Sequence, residues 1–352
     1  MKLLILGGTP SRAGGLEAFC RRAVDALNLD DGCQADWLPT NTAYLRPESA
    51  RQMLRSLLVF WRRQGEGWSA VWLQYVNMAD LVFLVAARLA GMKVVVTPHL
   101  GSNWLSTRVT FLKYLSCALL SFSSKLAYLS ETQLKELTLP ARLPRYRIRT
   151  FLPKSIGTRQ LKVEPKKAGA EVRLIHAARL SREKGTYLFI EVCRRLKLAN
   201  FAFVAEIIGS CDETTRSELR DLIDANKLQK EILLFPAMQE DELMNKLAAA
   251  DILVHLSVMD SFPLIVLESI GAGLYPICID LPGARNMTEE YCGEVVDPAN
   301  AVQAVVDILV NGDPAAMALA ANKARESVSD DYDWTTCVTL LERCIASDRA
   351  TQ

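Results

Sequence analysis

Residues 251–273, DILVHLSVMDSFPLIVLESIGAG, read as strand, polar loop and helix in immediate succession. DILVHL (251–256) is a short apolar run of strand length, and PLIVLESIGAG (263–273) has helical length, with Pro263 suited to the first turn and Gly271 or Gly273 to the end. A strand that passes through a loop straight into a helix is one unit of a parallel sheet. The same pattern recurs outward in both directions. EVRLIHA (171–177), FVAEIIGS (203–210), EILLFP (231–236) and YPICID (275–280) read as further strands with helices between them. Upstream, KLLILG (2–7), AVWLQY (70–75), KVVVTP (93–98), KLAYLS (125–130) and RYRIRTF (145–151) form a second such series, with helices at 15–27 and 51–63 among those between them. Between the two series, PKSIGTRQLKVEPKKAGA (153–170) loses all periodicity and is rich in Lys, Pro and Gly, as a linker is. The expected fold class is α/β: two Rossmann-like doubly wound domains in tandem, with ligands at the carboxyl ends of their strands, facing across a cleft. The domains are expected at 1–155 and 171–330, joined by a linker over 156–170, with a last amphipathic helix inside 331–352.

Size and composition agree with this division. A chain of 352 residues is too long for one comfortable core, and with 50% hydrophobic and 23% charged residues it is globular and not disordered. No run of eighteen uncharged apolar residues marks a membrane-crossing helix. MKLLILGG is too short for a signal peptide and runs into the first strand. Nine cysteines without C-x-x-C spacing suit a reducing compartment and apolar packing, so the expected location is cytoplasmic. Residues 1–155 carry 20 Lys and Arg against 10 Asp and Glu, a net of +10; the remainder carries 21 against 30, a net of −9. That asymmetry points to different partners for the halves, the first of them anionic, such as a membrane surface or a phosphorylated acceptor, the plainer alternative being a solvated basic face. No nucleic-acid partner is expected.

The polar residues just after strands are the candidates for chemistry. Asp260 falls in the loop after its strand and Glu268 about one and a half turns into the helix. Both can face a ligand while the residues between them pack inward, and carboxylates so placed accept hydrogen bonds from vicinal hydroxyls. The plainer alternative is a helix-capping Asp and a solvated Glu. In HAARLSREKG (176–185), Arg179 and Lys184 lie in a loop before a helix, where two cations suit a diphosphate. In GGTPSRAGGLEAF (7–19), Gly14 and Gly15 let backbone N–H groups approach a phosphate, although neither G-x-G-x-x-G nor a P-loop is present. Of three histidines, His255 lies within a strand and reads as core, and His176 at a strand end is ambiguous. His99, near Gly101, is the best placed to meet a sugar hydroxyl.

Taken in order, GGLE (14–17), TPHLG (97–101), YLSE (128–131), ARLSREKG (178–185), IIGS (207–210), DSFPLIVLESIGAGLYPICID (260–280) and DYDW (331–334) resemble the retaining glycosyltransferases of family 4, with the GT-B fold. The resemblance spans nearly the whole chain. It implies a donor substrate, a nucleotide-diphosphate sugar, held mainly by the second domain. Glu268 would bind the ribose, Arg179 and Lys184 the diphosphate, Asp260 the sugar hydroxyls near the reacting carbon and His99 the transferred sugar. Gly14, Gly15, Gly209, Ser261, Phe262, Pro263 and Leu264 complete the donor set. No metal and no further cofactor is implied, since the two cations take a metal's place. DYD (331–333) is formally D-x-D, but capping of a helix start explains it better. The chain departs from the family pattern at Asp260, where Glu is usual, at Asn286, where a further Glu is usual, and in the linker, which lacks Asn-Gly.

The expected activity is transfer of a hexosyl group, with retention, to a saccharide or polyprenyl-linked saccharide used in polysaccharide or lipopolysaccharide building. Peripheral contact with the inner face of an anionic membrane is expected through RQMLRSLLVFWRRQ (51–64) and NWLSTRVTFLKYLSCALL (103–120), whose alternative reading is ordinary amphipathic core helices. A nucleotide-sugar epimerase of the same fold and a non-catalytic nucleotide-sugar-binding subunit are the competing readings. A dinucleotide dehydrogenase lacks its glycine fingerprint.

Overall fold

The computed structural model describes residues 1–10, 14–42, 47–99, 108–156 and 171–347. The chain divides into two compact units, Met1–Leu152 with Tyr332–Gln352, and Pro153–Asp331. Of the expected linker, only Ile156 lies among the described residues.

The second unit is built on six parallel strands: β7 Val172–Ala177, β8 Phe203–Ile208, β9 Ile232–Phe235, β10 Ile252–His255, β11 Tyr275–Ile279 and β12 Glu294–Val296. Their order across the sheet is β12-β11-β10-β7-β8-β9. From β7 the chain steps outward to β9, returns to the middle at β10 and steps outward on the other side. The ends of β7 and β10 therefore diverge into loops on opposite sides of a switch point, where open α/β sheets bind ligands. The register sets Ile252 beside Leu174 and Leu253 beside Ile175. The central strands are mostly apolar because helices cover both faces, and Leu174, Ile207, Val254 and Ile277 share one core with Phe189 and Leu196 of the helix Thr186–Leu198.

The first unit repeats the scheme with β1 Lys2–Leu6, β2 Gln34–Leu38, β3 Ala70–Tyr75, β4 Lys93–Pro98, β5 Lys125–Tyr128 and β6 Arg145–Arg147, in the order β2-β1-β3-β4-β5-β6. Its switch point lies between β1 and β3. β3 is buried along its whole length, and Trp72 packs edge-on against Phe19 and Phe151 at 5.3 and 6.5 Å. After the second unit the chain returns to the first as the helix Trp334–Ala346. Asp333 caps that helix by accepting Thr335 and Thr336 N–H, so the D-x-D triplet is a cap, as its position suggested. The helix ends on Lys125, buried beneath it, whose ammonium donates to the carbonyls of Cys344 at 2.7 Å, Ile345 at 3.0 Å and Ser347.

The nine cysteines are free, and six of them are buried. Among the described residues no single helix is long and apolar enough to cross a membrane.

Candidate active site

At the switch point of the second unit, two loops are knitted together by backbone hydrogen bonds. The first, 178–185, leaves β7 and continues for two residues beside the end of β8. Ala178 N–H donates to Ile208 O at 3.1 Å and Leu180 N–H to Ser210 O at 2.9 Å. This close approach demands Gly209, since a Cβ there would lie 1.7 Å from the Ala178 carbonyl oxygen. The loop ends at Gly185, which caps the helix Thr186–Leu198 with φ 81°. A Cβ at Gly185 would lie 2.2 Å from Leu256 O, so only glycine lets this corner touch the end of β10. The second loop follows β10 and is fixed to the first by Val258 N–H to Glu183 O at 2.9 Å.

His176 braces this junction from below. Its Nδ1 faces Val254 O at 3.2 Å and its Nε2 faces Thr186 Oγ1 at 3.1 Å. A carbonyl only accepts, so Nδ1 carries the hydrogen and Nε2 accepts from the Thr186 hydroxyl. Thr186 Oγ1 in turn accepts Ser181 N–H at 3.2 Å. Burial drives the His176 pKa down to about 4, and the ring stays neutral as this chain of bonds requires. The histidine ambiguous in sequence is a strut.

On this platform Lys184 reaches across to the second loop. Its ammonium donates to Asp260 Oδ2 at 2.7 Å and to Met259 O at 3.0 Å. Asp260 does not cap the following helix, which begins at Leu264 with Pro263 as its N-cap, one residue later than the sequence suggests. Nor is Glu268 a solvated residue: it is 6% exposed, inside the helix Leu264–Gly271. Gly273, with φ 92°, turns the chain after that helix. Ser261, Phe262 and Leu264 are half-buried around Pro263, which is buried, and Gly283 packs on Ser261, where a Cβ would lie 2.2 Å from the Ser261 carbonyl oxygen. Arg179 is exposed and makes no hydrogen bond or ion pair among the described residues. The second unit thus joins Lys184 directly to Asp260 and leaves Arg179 on the rim of the same loop.

The sequence-chosen residues of the first unit sit at its own switch point. His99 follows β4, is half-buried, and has Nε2 2.9 Å from Gln74 Oε1 of β3. Burial lowers its pKa to about 4. A neutral ring facing an amide oxygen carries its hydrogen on Nε2, so the hydrogen expected for a sugar hydroxyl is given to Gln74. The ring also meets Phe19 edge-on at 5.4 Å. Gly101 and residues 103–107 lie outside the described residues. Gly14 caps the helix Gly15–Asn28 in extended backbone. The anion at this helix start belongs to the chain itself. Glu17 is buried in the first turn, its Oε1 accepts Thr9 N–H at 2.9 Å, and its Oε2 lies 2.8 Å from where a Gly14 Cβ would stand. A carboxylate here opposes a phosphate and suits hydroxyl groups. Glu17 and Gln74 are the functional candidates that the sequence reading passed over. Glu17 was in plain view within GGLE, whereas Gln74 lay inside an apolar strand.

A carboxylate, thiol and carboxylate cluster, Asp30, Cys33 and Glu342, is the one set among the described residues with metal-ligand geometry. The Cys33 thiol donates to Glu342 at 3.0 Å, and burial and this bond raise its pKa to about 12.

The family model of the glycosyl transferases group 1 matches residues 158–325, most of the second unit. A glycogen synthase of Mycobacterium tuberculosis is 28% identical over 173 residues, covering 47% of this chain and 40% of its own. The amylovoran biosynthesis glycosyltransferase AmsK of Erwinia amylovora is 25% identical over 169 residues, covering 44% and 41%. The chain therefore spans about two fifths of the length of these curated relatives. Two solved structures align along almost the whole chain. Anabaena Alr3699/HepE in complex with UDP and glucose has a TM-score of 0.73 at 17% identity, covering 97% of this chain and 98% of its own. Sucrose-phosphate synthase from Thermosynechococcus elongatus has a TM-score of 0.74 at 18% identity, with the same coverage of 97% and 98%. These likenesses show the fold: the chain has the GT-B architecture.

Proposed function

We propose that this chain, whose residues 158–325 match the group 1 glycosyl transferases, moves a hexosyl group from a nucleotide-diphosphate sugar to a saccharide acceptor with retention at the anomeric carbon. The observation that carries the reading is the knitted pair of loops at the β7/β10 switch point, which presents Lys184, Asp260 and Arg179 beside the helix bearing Glu268. Solved relatives of the fold hold UDP and glucose or UDP-glucose, which supports a donor of that class here. Lys184 and Arg179 grip the diphosphate, Lys184 as a compact charge and Arg179 through its planar fork. Negative charge grows on the diphosphate as the glycosidic bond breaks, and fixed cations stabilise it most in the transition state. They supply that charge without a metal ion. Glu268 accepts from the ribose hydroxyls, and Asp260 from the sugar hydroxyls near the reacting carbon.

The test is a thermal-shift panel of UDP-, GDP- and ADP-sugars with and without chelator, because a ligand of the folded state raises the melting temperature by mass action. A shift with one donor, unchanged by chelator, is the expected result. Proton NMR of the product then reads retention from the anomeric coupling. Absence of a shift with every donor counts against the assignment, and a shift without turnover or donor hydrolysis moves the reading to a non-catalytic binding subunit.

The acceptor side is read from the first unit. The helix Pro47–Arg62 leaves Leu54, Leu58 and Trp61 between 42% and 58% exposed, spaced for one face and interleaved with Arg51, Arg55 and Arg62. The helix Thr110–Leu120 leaves Phe111 and Tyr114 72% and 65% exposed beside Lys113. Apolar residues flanked by cations support docking at an anionic lipid surface, and hence a lipid-linked saccharide as acceptor in the building of an exported polysaccharide. Co-sedimentation with phosphatidylglycerol vesicles, weakened by Leu58→Glu and by salt, is the expected outcome; equal recovery with neutral and anionic vesicles counts against it.

A further inference from the structure

His255 is the buried polar side chain at the switch point that the donor site does not use. It is 2% exposed at the end of β10, and neither ring nitrogen has a hydrogen-bond partner. A neutral imidazole has one N–H to give and one lone pair to fill, and buried groups of this kind are seldom left unmatched. Nε2 lies 3.9 Å from Asp260 Oδ2. That is longer than a hydrogen bond by less than 1 Å. The same oxygen now receives the Lys184 ammonium at 2.7 Å. The charged groups acting on the ring are Asp260 and Lys184, with the neutral His176 beside it.

We propose that His255 is a positioning residue, which takes over Asp260 Oδ2 when Lys184 turns to the diphosphate of a bound nucleotide sugar. The inference rests on the donor-site reading given above for Lys184 and Asp260. Lys184 neutralises Asp260 and holds the second loop through Met259 O. A diphosphate carries more negative charge than one carboxylate and draws the ammonium away. Asp260 then loses its partner at the moment its carboxylate must be aimed at the sugar. The Nε2–H of His255 fills that vacancy from beneath, fixing one carboxylate oxygen and leaving the other to accept from a sugar hydroxyl. No proton is transferred and no covalent bond changes. With Lys184 on Asp260, burial lowers the pKa of His255 to about 4, so the ring is neutral and has one N–H to offer.

The experiment compares the full chain with His255→Leu and His255→Asn, using UDP and the nucleotide sugar selected by the wild type in the thermal-shift panel. Leucine removes two unpartnered buried nitrogens, so the expected melting temperature is equal or higher. UDP affinity falls, since the diphosphate alone calls Lys184 away from Asp260, but it falls less than transfer does, because UDP lacks the sugar that Asp260 serves. Transfer slows at least tenfold, roughly 1.4 kcal/mol by the usual conversion. Asparagine, with an amide N–H to offer, recovers part of the rate. A second readout needs no variant: in wild-type protein labelled with ¹⁵N-histidine, the Nε2 proton of His255 moves downfield when UDP is added. A leucine variant that transfers at the wild-type rate overturns the inference. Equal loss of UDP binding and transfer, or an asparagine variant no better than leucine, does the same, as does an unmoved histidine signal in UDP-saturated wild type. A wild type that binds no nucleotide sugar overturns the donor-site reading itself, a result seen before any variant is made.

Discussion

A single contact, Lys184 to Asp260, separates this site from the sum of its motif residues. Both side chains are about a fifth exposed, so the pair is neither a screened surface bridge nor a buried one that must repay a large desolvation cost. A phosphate can displace such a contact. Lys184→Ala and Arg179→Ala should each remove about 2.7–4 kcal/mol of transition-state stabilisation, a loss of about 10²–10³ in kcat/KM. The melting temperature of either variant should stay near that of the wild type, and steady-state kinetics with near-wild-type turnover would remove the diphosphate assignment. Gly209 makes the complementary case for backbone. Its φ is not in the left-handed region, so conformation does not demand glycine; the Ala178 carbonyl 1.7 Å from a Cβ does. Gly209→Ala must push the ends of β7 and β8 apart. The expected cost is about 1–3 kcal/mol in urea unfolding, with weaker UDP binding because the displaced loop carries Arg179. Lys184, Asp260 and Glu268 were singled out as candidates by their places after strands and by the family resemblance, and the contact between the first two is what the structure adds. The unmatched state of His255 was not legible, since an isolated histidine in an apolar run gives no sign of whether its nitrogens find partners.

The strands buried on both faces were the plainest to read. β3, β4, β7, β8 and β10 read correctly because a strand covered on both faces is a nearly continuous apolar run. The two strands missing from the sequence reading, β2 and β12, each form one edge of a sheet, whose other edges, β6 and β9, were read. QADWL alternates exposed Gln34 and Asp36 with buried Ala35, and EVV is only three residues long, so neither has an unbroken apolar signal. The helix Trp334–Ala346 was legible from its cap, but its anchorage was not. Lys125 lies in a strand some 219 residues upstream of Cys344, and nothing local marks it as the group that meets the last carbonyls of this helix. A buried ammonium there complements the negative end of the helix dipole and satisfies carbonyls that no intrahelical N–H can reach. Lys125→Met keeps the length of the side chain and removes the charge, leaving those carbonyls unmatched. The expected loss is about 1–3 kcal/mol, with faster amide exchange confined mainly to residues 334–346. Unchanged exchange in that helix would show that apolar packing by Cys337, Val338 and Leu341 alone holds it in place.

Across the whole molecule, two units with separate cores should answer acid differently. His176 and His255 are buried in the second unit, His99 half-buried in the first, and burial brings all three to about 4 from the ordinary 6.5. Between those values the unfolded chain binds a proton at each site that the folded chain does not. Stability is therefore complete above pH 6.5 and falls as the pH drops toward 4. For each of His176 and His255 the full shift amounts to on the order of 3 kcal/mol. Glu191, held near 2 chiefly by its hydrogen bonds to Arg194, loses its contribution only below about 4.5 and does not confuse the window. Calorimetry from pH 7.5 to 4.5 should resolve two transitions, with the transition of the second unit falling more steeply. UDP should identify that transition independently by raising it more than the other, since Arg179, Lys184 and Glu268, proposed to hold the diphosphate and ribose, all belong to the second unit. His255→Leu should flatten its descent by roughly half, because one of two titrating imidazoles is gone, while His176→Phe would flatten the curve and also loosen the loop bearing Lys184. If both transitions moved in parallel with pH, the acid response would belong to surface carboxylates common to the two units. The buried histidines would then be silent in stability, and their neutrality would matter only for the hydrogen bonds made by His176 and awaited by His255.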